Sequence, residues 1–143
     1  MIKRTNKYNA VKAEMDGIKF DSTLERNCYR VIKEHGLLND TVLQQEYILQ
    51  PKFRADSGKV IQPIKYVCDF VVFDRYVLDA KGLLLSEFKM KRKMLLFQKK
   101  LEIICVGSII DMNSTCVMMK NNMMPSIIIE ELKQHKKNRK RKK

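Results

Sequence analysis

Along this chain the apolar positions change period several times, and each change marks an element. Residues 13–20 read as two short extended pieces around the turn pair Asp16-Gly17. From Phe20 onward, Leu24, Cys28, Val31 and Ile32 fall on one helical stripe. Ser22 and Glu25 have the spacing of a capping box in front of that stripe, and Gly36 supplies its stop. Residues 41–50 predict a strand stopped by Pro51, and 52–63 a hairpin turning at Asp56-Ser57-Gly58. Two central strands follow, roughly residues 64–73 and 76–81. Residues 83–101 predict a second helix with Met90, Met94, Phe97 and Leu101 inward, and Phe88 and Leu95 widening that face. Residues 102–106 predict a buried strand. Residues 107–124, rich in Met and interrupted by Asn, have no readable period, and their methionines suit core filling. A last helix starts behind Ser126 and carries Ile127, Ile128, Ile129 and Leu132. Helix, strand, hairpin strands, helix, strand is the order of an α/β (α+β) domain, a mixed central sheet flanked by helices.

With 143 residues, 45% of them apolar, there is enough for one core, placed at residues 13–132 between a basic arm (1–12) and a basic tail (133–143) expected to be disordered. No apolar run reaches the ~18–20 residues a membrane span needs, and the first twelve residues lack the apolar stretch of a signal peptide. Cys28, Cys68, Cys105 and Cys116 are scattered among apolar neighbours without a C-x-x-C, as free thiols in a reducing cytoplasm are. A Gly-rich phosphate loop and a G-x-S-x-G are both missing, and His35 and His135 have no catalytic neighbour, so no small-molecule cofactor is implied.

Charge changes the picture. The net charge is +13, and eight Lys and Arg, including Lys137, Arg139 and Arg141, crowd residues 133–143 with no acid among them. The second helix carries Lys89, Lys91, Arg92, Lys93, Lys99 and Lys100 against one acid, Glu87, and the arm adds Lys7. A solvated helix face mixes signs; a one-signed face suits phosphates, so nucleic acid rather than membrane is the expected partner. The tail reads equally as a DNA contact or as a solvated, localising segment.

The chemistry lies in residues 66–82, Y-V-C-D-F-V-V-F-D-R-Y-V-L-D-A-K-G. Asp69 and Asp79 interrupt two apolar runs, and burying an unpaired carboxylate costs several kcal/mol, roughly, so each needs a partner. A hard divalent cation is one such partner. Lys81 lies two residues beyond Asp79 and shares its strand face. A buried Asp–Lys ion pair is the other reading of the same residues.

A helical Glu25, a strand Asp69, and D-x-K at Asp79 and Lys81 in an α-β-β-β-α-β frame resemble the PD-(D/E)xK nuclease superfamily. K-Y-N-A-V-K at 7–12, D-G-I-K-F-D-S-T-L-E at 16–25, L-Q-P-K-F at 49–53 and D-A-K-G at 79–82 resemble more closely a family of small phage-type proteins. That family is labelled as a domain of unknown function and placed with Holliday-junction-resolvase-like endonucleases. The resemblance spans about residues 7–106, with two departures: Cys68 stands where a proline is common, and Asp79 where a glutamate is.

The resemblance implies a restriction-endonuclease-like αβββαβ core, Mg²⁺ (with Mn²⁺ substituting) held by Asp69, Asp79 and the Ala80 carbonyl, and Glu25 completing the shell directly or through water. It implies Lys81 beside the attacking water, branched or junction DNA as substrate, and a homodimer, since symmetric cleavage of a four-way junction needs two sites about a twofold axis. Against Glu25 stands its capping box, which alone accounts for a glutamate there. A nuclease-fold DNA-binding protein without cleavage is the alternative function. Parity sets one further condition. Asp69 and Asp79 share a sheet face only if an odd-length loop such as residues 73–75 sets them opposite one another, and Asp-Arg is a poor two-residue turn.

Overall fold

The computed structural model describes residues 12–81 and 84–123. The arm with Lys7, the helix expected behind Ser126 and the tail with Lys137, Arg139 and Arg141 lie outside them. Strands β1 (Ala13–Met15) and β2 (Ile18–Phe20) form a hairpin through Asp16 and Gly17, both at positive φ (53° and 76°). Helix α1 (Thr23–Glu34) is capped by Ser22, whose hydroxyl accepts from the Glu25 amide, and Gly36 follows its end at φ 71°. Asp16 anchors the hairpin to the helix by accepting from Lys33 (2.8 Å) and the Tyr29 hydroxyl (3.0 Å).

The strand expected over 41–50 is two strands, β3 (Thr41–Leu43) and β4 (Glu46–Gln50). The β5 (Phe53–Arg54) and β6 (Val60–Ile61) hairpin turns at the expected Asp56-Ser57-Gly58. The first central strand also divides, into β7 (Ile64–Val67) and β8 (Phe70–Val72). One event breaks both. Gln44 adopts φ 54°, its amide donates to the Asp69 carbonyl (3.1 Å), and Cys68 donates to the Gln45 carbonyl (3.0 Å). Antiparallel β3–β8 therefore bends into antiparallel β4–β7, and Asp69 sits in the bend.

Residues 73–75 then lead into β9 (Tyr76–Ala80), helix α2 (Ser86–Lys99), β10 (Ile103–Val106) and helix α3 (Ile109–Lys120). The main sheet has the order β10-β9-β8-β3; β8 runs antiparallel to β3 and β9, and β10 parallel to β9 with α2 as the crossover between them. Taken with α1, the chain runs α-β-β-β-α-β through this sheet: the class is mixed α/β, as the sequence order predicts.

Side-chain alternation gives the sheet two cores. Phe70, Val72, Tyr76, Leu78, Ile104 and Val106 face α1 and α3; Val71, Val77, Ile103 and Cys105 face α2 and the β4–β7 ribbon. The four cysteines are free and buried, and burial pushes Cys28, Cys68 and Cys116 up to about 12, so these three stay protonated thiols. Among the described residues no helix is long and apolar enough to cross a membrane.

Two helices depart from expectation. In α2 the buried positions are Phe88 and Leu95, one stripe two turns apart, while Met90 and Phe97 stand in solvent, Phe97 at 80% exposure. The Met-rich segment is α3, capped by Ser108, with Met112, Cys116 and Met119 buried against α1. Its inward position makes a specific prediction. Met112→Ala should cost about 2–5 kcal/mol in denaturant unfolding. Ile110→Ala, on the exposed face, should stay within about 0.5 kcal/mol.

Candidate active site

Residues 73–75 form a three-residue connection, with Phe73 and Asp74 at φ 55° and 54°, and β8 pairs with β9 as Phe70↔Leu78, Val71↔Val77 and Val72↔Tyr76. The ladder ends there: Asp69 lies in the bend before β8, its amide donates to the Leu78 carbonyl (3.2 Å), and its side chain reaches Asp79. The two carboxyl groups meet in a hydrogen bond, which requires a proton on one of them. Burial first, then the Asp79 charge, push Asp69 well above the usual carboxylate range. Asp69 Oδ2 also accepts from the Ala80 amide at 2.7 Å. Ala80 thus orients one carboxylate through its N–H, a role beyond the carbonyl ligand expected of it.

Asp79 is only 2% exposed and, besides Asp69, meets two further partners. Its Oδ2 accepts from the Tyr66 hydroxyl at 2.5 Å, and its Oδ1 lies 3.5 Å from Lys81 Nζ. Lys81 remains a third exposed, with its ammonium 5.0 Å above the Phe88 ring. It opens onto a cleft of about 430 Å³ lined by Lys65, Tyr66, Leu85, Phe88 and Lys91 among others.

Glu25 comes from α1, on the other face of the sheet, and is buried at 4% exposure. Its side chain does not close the capping box on Ser22. Oε2 accepts from the Asp21 amide (3.3 Å) and Oε1 from Gln44 Nε2 (2.9 Å). Burial pushes Glu25 up to about 7; the Asp21 amide pulls the other way, the Asp21 and Asp79 charges add to the rise, and Lys81 opposes it. Glu25 therefore lies within electrostatic range of Asp79 and Lys81.

The donor set suits a hard cation. Two carboxyl groups side by side, Asp79 buried and Asp69 half-buried, favour binding either a proton or a positive ion, and Mg²⁺ and Mn²⁺ prefer such oxygens. Among the described residues no group of three or more His, Cys, Asp or Glu side chains is gathered around one point, so the donors in hand are the Asp69–Asp79 pair, with Glu25 held apart by Gln44. Of the predicted DNA-facing residues, Lys89, Lys93, Lys99 and Lys100 are exposed on α2, Arg92 is half-buried, and Lys91 pairs with Glu87 at 3.1 Å.

Three residues of this neighbourhood lie beyond sequence reasoning: Gln44, Tyr66 and Asp111. Asp111 is buried at the start of α3 and accepts from the Gly107 amide (3.3 Å), and its charge, like those of Asp69 and Glu25, reaches Cys28. Ser108-x-x-Asp111 has the spacing of a helix cap, the one signal that points to it; Gln44 and Tyr66 carry none.

The sign of the pH dependence follows. Glu25 and Asp69 have folded pKa values raised above their unfolded ones, so the native state binds the extra protons, and the stability this confers is full below about 4 and lost as pH rises through the folded values. Without divalent metal, unfolding free energy should fall from pH 5 to pH 8, Glu25 contributing on the order of 3 kcal/mol. Asp69→Asn, which can still donate to Asp79 and accept from Ala80, should flatten the slope and hold or raise stability at pH 8. Denaturant titrations in chelator check this, and stability rising across that interval would contradict it.

A family model described as "Protein of unknown function (DUF1064)" matches residues 5–119. No curated protein and no solved structure matches the chain.

Proposed function

This chain belongs to the DUF1064 family, and we propose that it is a divalent-metal-dependent endonuclease hydrolysing DNA phosphodiester bonds, with branched DNA as the preferred substrate. One observation carries the reading: the Asp69 and Asp79 carboxyl groups lie side by side, Asp69 accepting from the Ala80 amide next to Asp79, with Lys81 3.5 Å from the second carboxylate. When bound, Mg²⁺ or Mn²⁺ supplies charge neutralisation at the scissile phosphate and a water of lowered pKa. Asp69 and Asp79 would hold that ion through oxygens not taken by the Ala80 amide and the Tyr66 hydroxyl. Lys81 lies beside the site and would orient the attacking water or stabilise its oxyanion. Glu25, at about 7, is able to hold or release a proton near neutrality.

The exposed lysines of α2, joined by Lys65 and Lys91 along the cleft, suit a phosphate backbone. Preference for a four-way junction and the homodimer it needs rest on the sequence resemblance, and a cytoplasmic location on the cysteines read as free thiols. Met90, Leu96 and Phe97 offer exposed apolar area for a second copy.

Binding without cleavage is the second reading. It is favoured by the Lys81–Asp79 ion pair and by the lack of a three-carboxylate cluster among the described residues. Metal separates the two. On a panel of linear, nicked, flap and four-way DNAs, cleavage should require Mg²⁺ or Mn²⁺ and vanish in chelator; tight binding with no cut under any metal would favour the second. Lys81→Ala should abolish cutting while DNA binding persists. Lys89→Ala with Lys93→Ala should lower the slope of log affinity against log salt by about 0.9 for each phosphate no longer neutralised, leaving single-turnover cleavage at saturating DNA intact.

A further inference from the structure

Tyr66 has no part in the chemistry above beyond occupying an oxygen of Asp79, yet it is held more tightly than a core-filling ring requires. It lies on β7 at 5% exposure, paired across the ribbon with Tyr47. The two rings stack at 6.5 Å and 13°, and Phe88 of α2 closes the other side at 6.1 Å and 54°. A ring held on two sides leaves its hydroxyl little room to choose a direction. That hydroxyl donates to Asp79 Oδ2 at 2.5 Å.

Asp79 needs such a constraint. The terminal torsion of an aspartate is broad and two-fold, so backbone placement alone does not decide which oxygen faces which partner. With Oδ2 taken by Tyr66, Oδ1 is the oxygen turned toward Lys81 Nζ. We infer that Tyr66 is a positioning residue, which fixes the Asp79 carboxylate so that Oδ1 is presented to a divalent cation beside Lys81. This rests on the metal-dependent reading above. A hydrogen bond from outside the coordination shell that aims a ligating carboxylate typically changes metal affinity about 10–100-fold.

The test is Mn²⁺ binding to the full chain, counted by the electron paramagnetic resonance signal of the free ion, with no DNA present. Tyr66→Phe keeps the ring and removes only the donor. It should weaken Mn²⁺ binding about tenfold or more. Tyr47→Phe, which keeps the stack and leaves Asp79 untouched, should bind as wild type does. Tyr66→Phe binding Mn²⁺ as tightly as wild type overturns the inference and leaves Tyr66 a packing residue, with the metal site intact. If Tyr66→Phe does not fold, Tyr47→Leu keeps the Tyr66 hydroxyl but withdraws one ring that aims it. It should then weaken Mn²⁺ binding several-fold, and unchanged affinity there overturns the inference equally. Wild type binding no Mn²⁺ overturns the metal reading itself, and this inference with it.

Discussion

Two carboxyl groups side by side, Asp79 buried on β9 and Asp69 half-buried in the bend before β8, are the constraint on which this structure turns. Like charges so close in a desolvated setting do not both ionise without help, so one proton is retained between Asp69 and Asp79. Everything nearby supports one or other oxygen of that pair. The Ala80 amide takes an oxygen of Asp69, the Tyr66 hydroxyl takes one of Asp79, and Lys81 lies against the second oxygen of Asp79. On the proposed metal-dependent reading, such a pair would exchange its proton for a divalent cation.

The fold delivers the pair by a break rather than by regularity. A continuous ribbon through β3–β4 and β7–β8 would carry Asp69 as an ordinary ladder residue. The left-handed backbone at Gln44 and the paired bonds Gln44–Asp69 and Cys68–Gln45 bend the ribbon there. Past the bend, β4 and β7 turn over α2 and bring Tyr66 to Asp79. The side chain of the same Gln44 reaches Glu25. One residue thus joins the helix that supplies Glu25 to the strand bend that supplies Asp69.

What the sequence revealed of this depended on whether the signal was local. The Ser22 cap and Gly36 stop of α1, the Asp16-Gly17 and Asp56-Ser57-Gly58 turns and the odd-length loop before β9 are decided by residues a few positions apart, and they stand as predicted. Glu25, by contrast, does not close the capping box. The break at Gln44 was invisible because Gln-Gln has no turn chemistry; tertiary hydrogen bonds impose it. In α2, Met90 and Phe97 match a helical stripe in spacing yet face solvent, because the sheet takes the Phe88–Leu95 line instead. Helix α3 hid for the opposite reason: apolar residues all around it leave no period to read. Of the site, Asp69 and Asp79 stood out as charges in apolar runs, Lys81 by its spacing from Asp79, and Glu25 through the family resemblance. Tyr66 and Gln44 did not, since each acts on a partner more than ten residues away.

The exchange of proton for cation is open to direct measurement. Mg²⁺ binding to the full chain near pH 7 can be followed calorimetrically in buffers of different ionisation enthalpy. The observed heat should vary with the buffer in proportion to about one proton released per ion bound, because the ion displaces the proton shared by Asp69 and Asp79. Binding whose heat is independent of buffer, or no binding at all, would contradict the account.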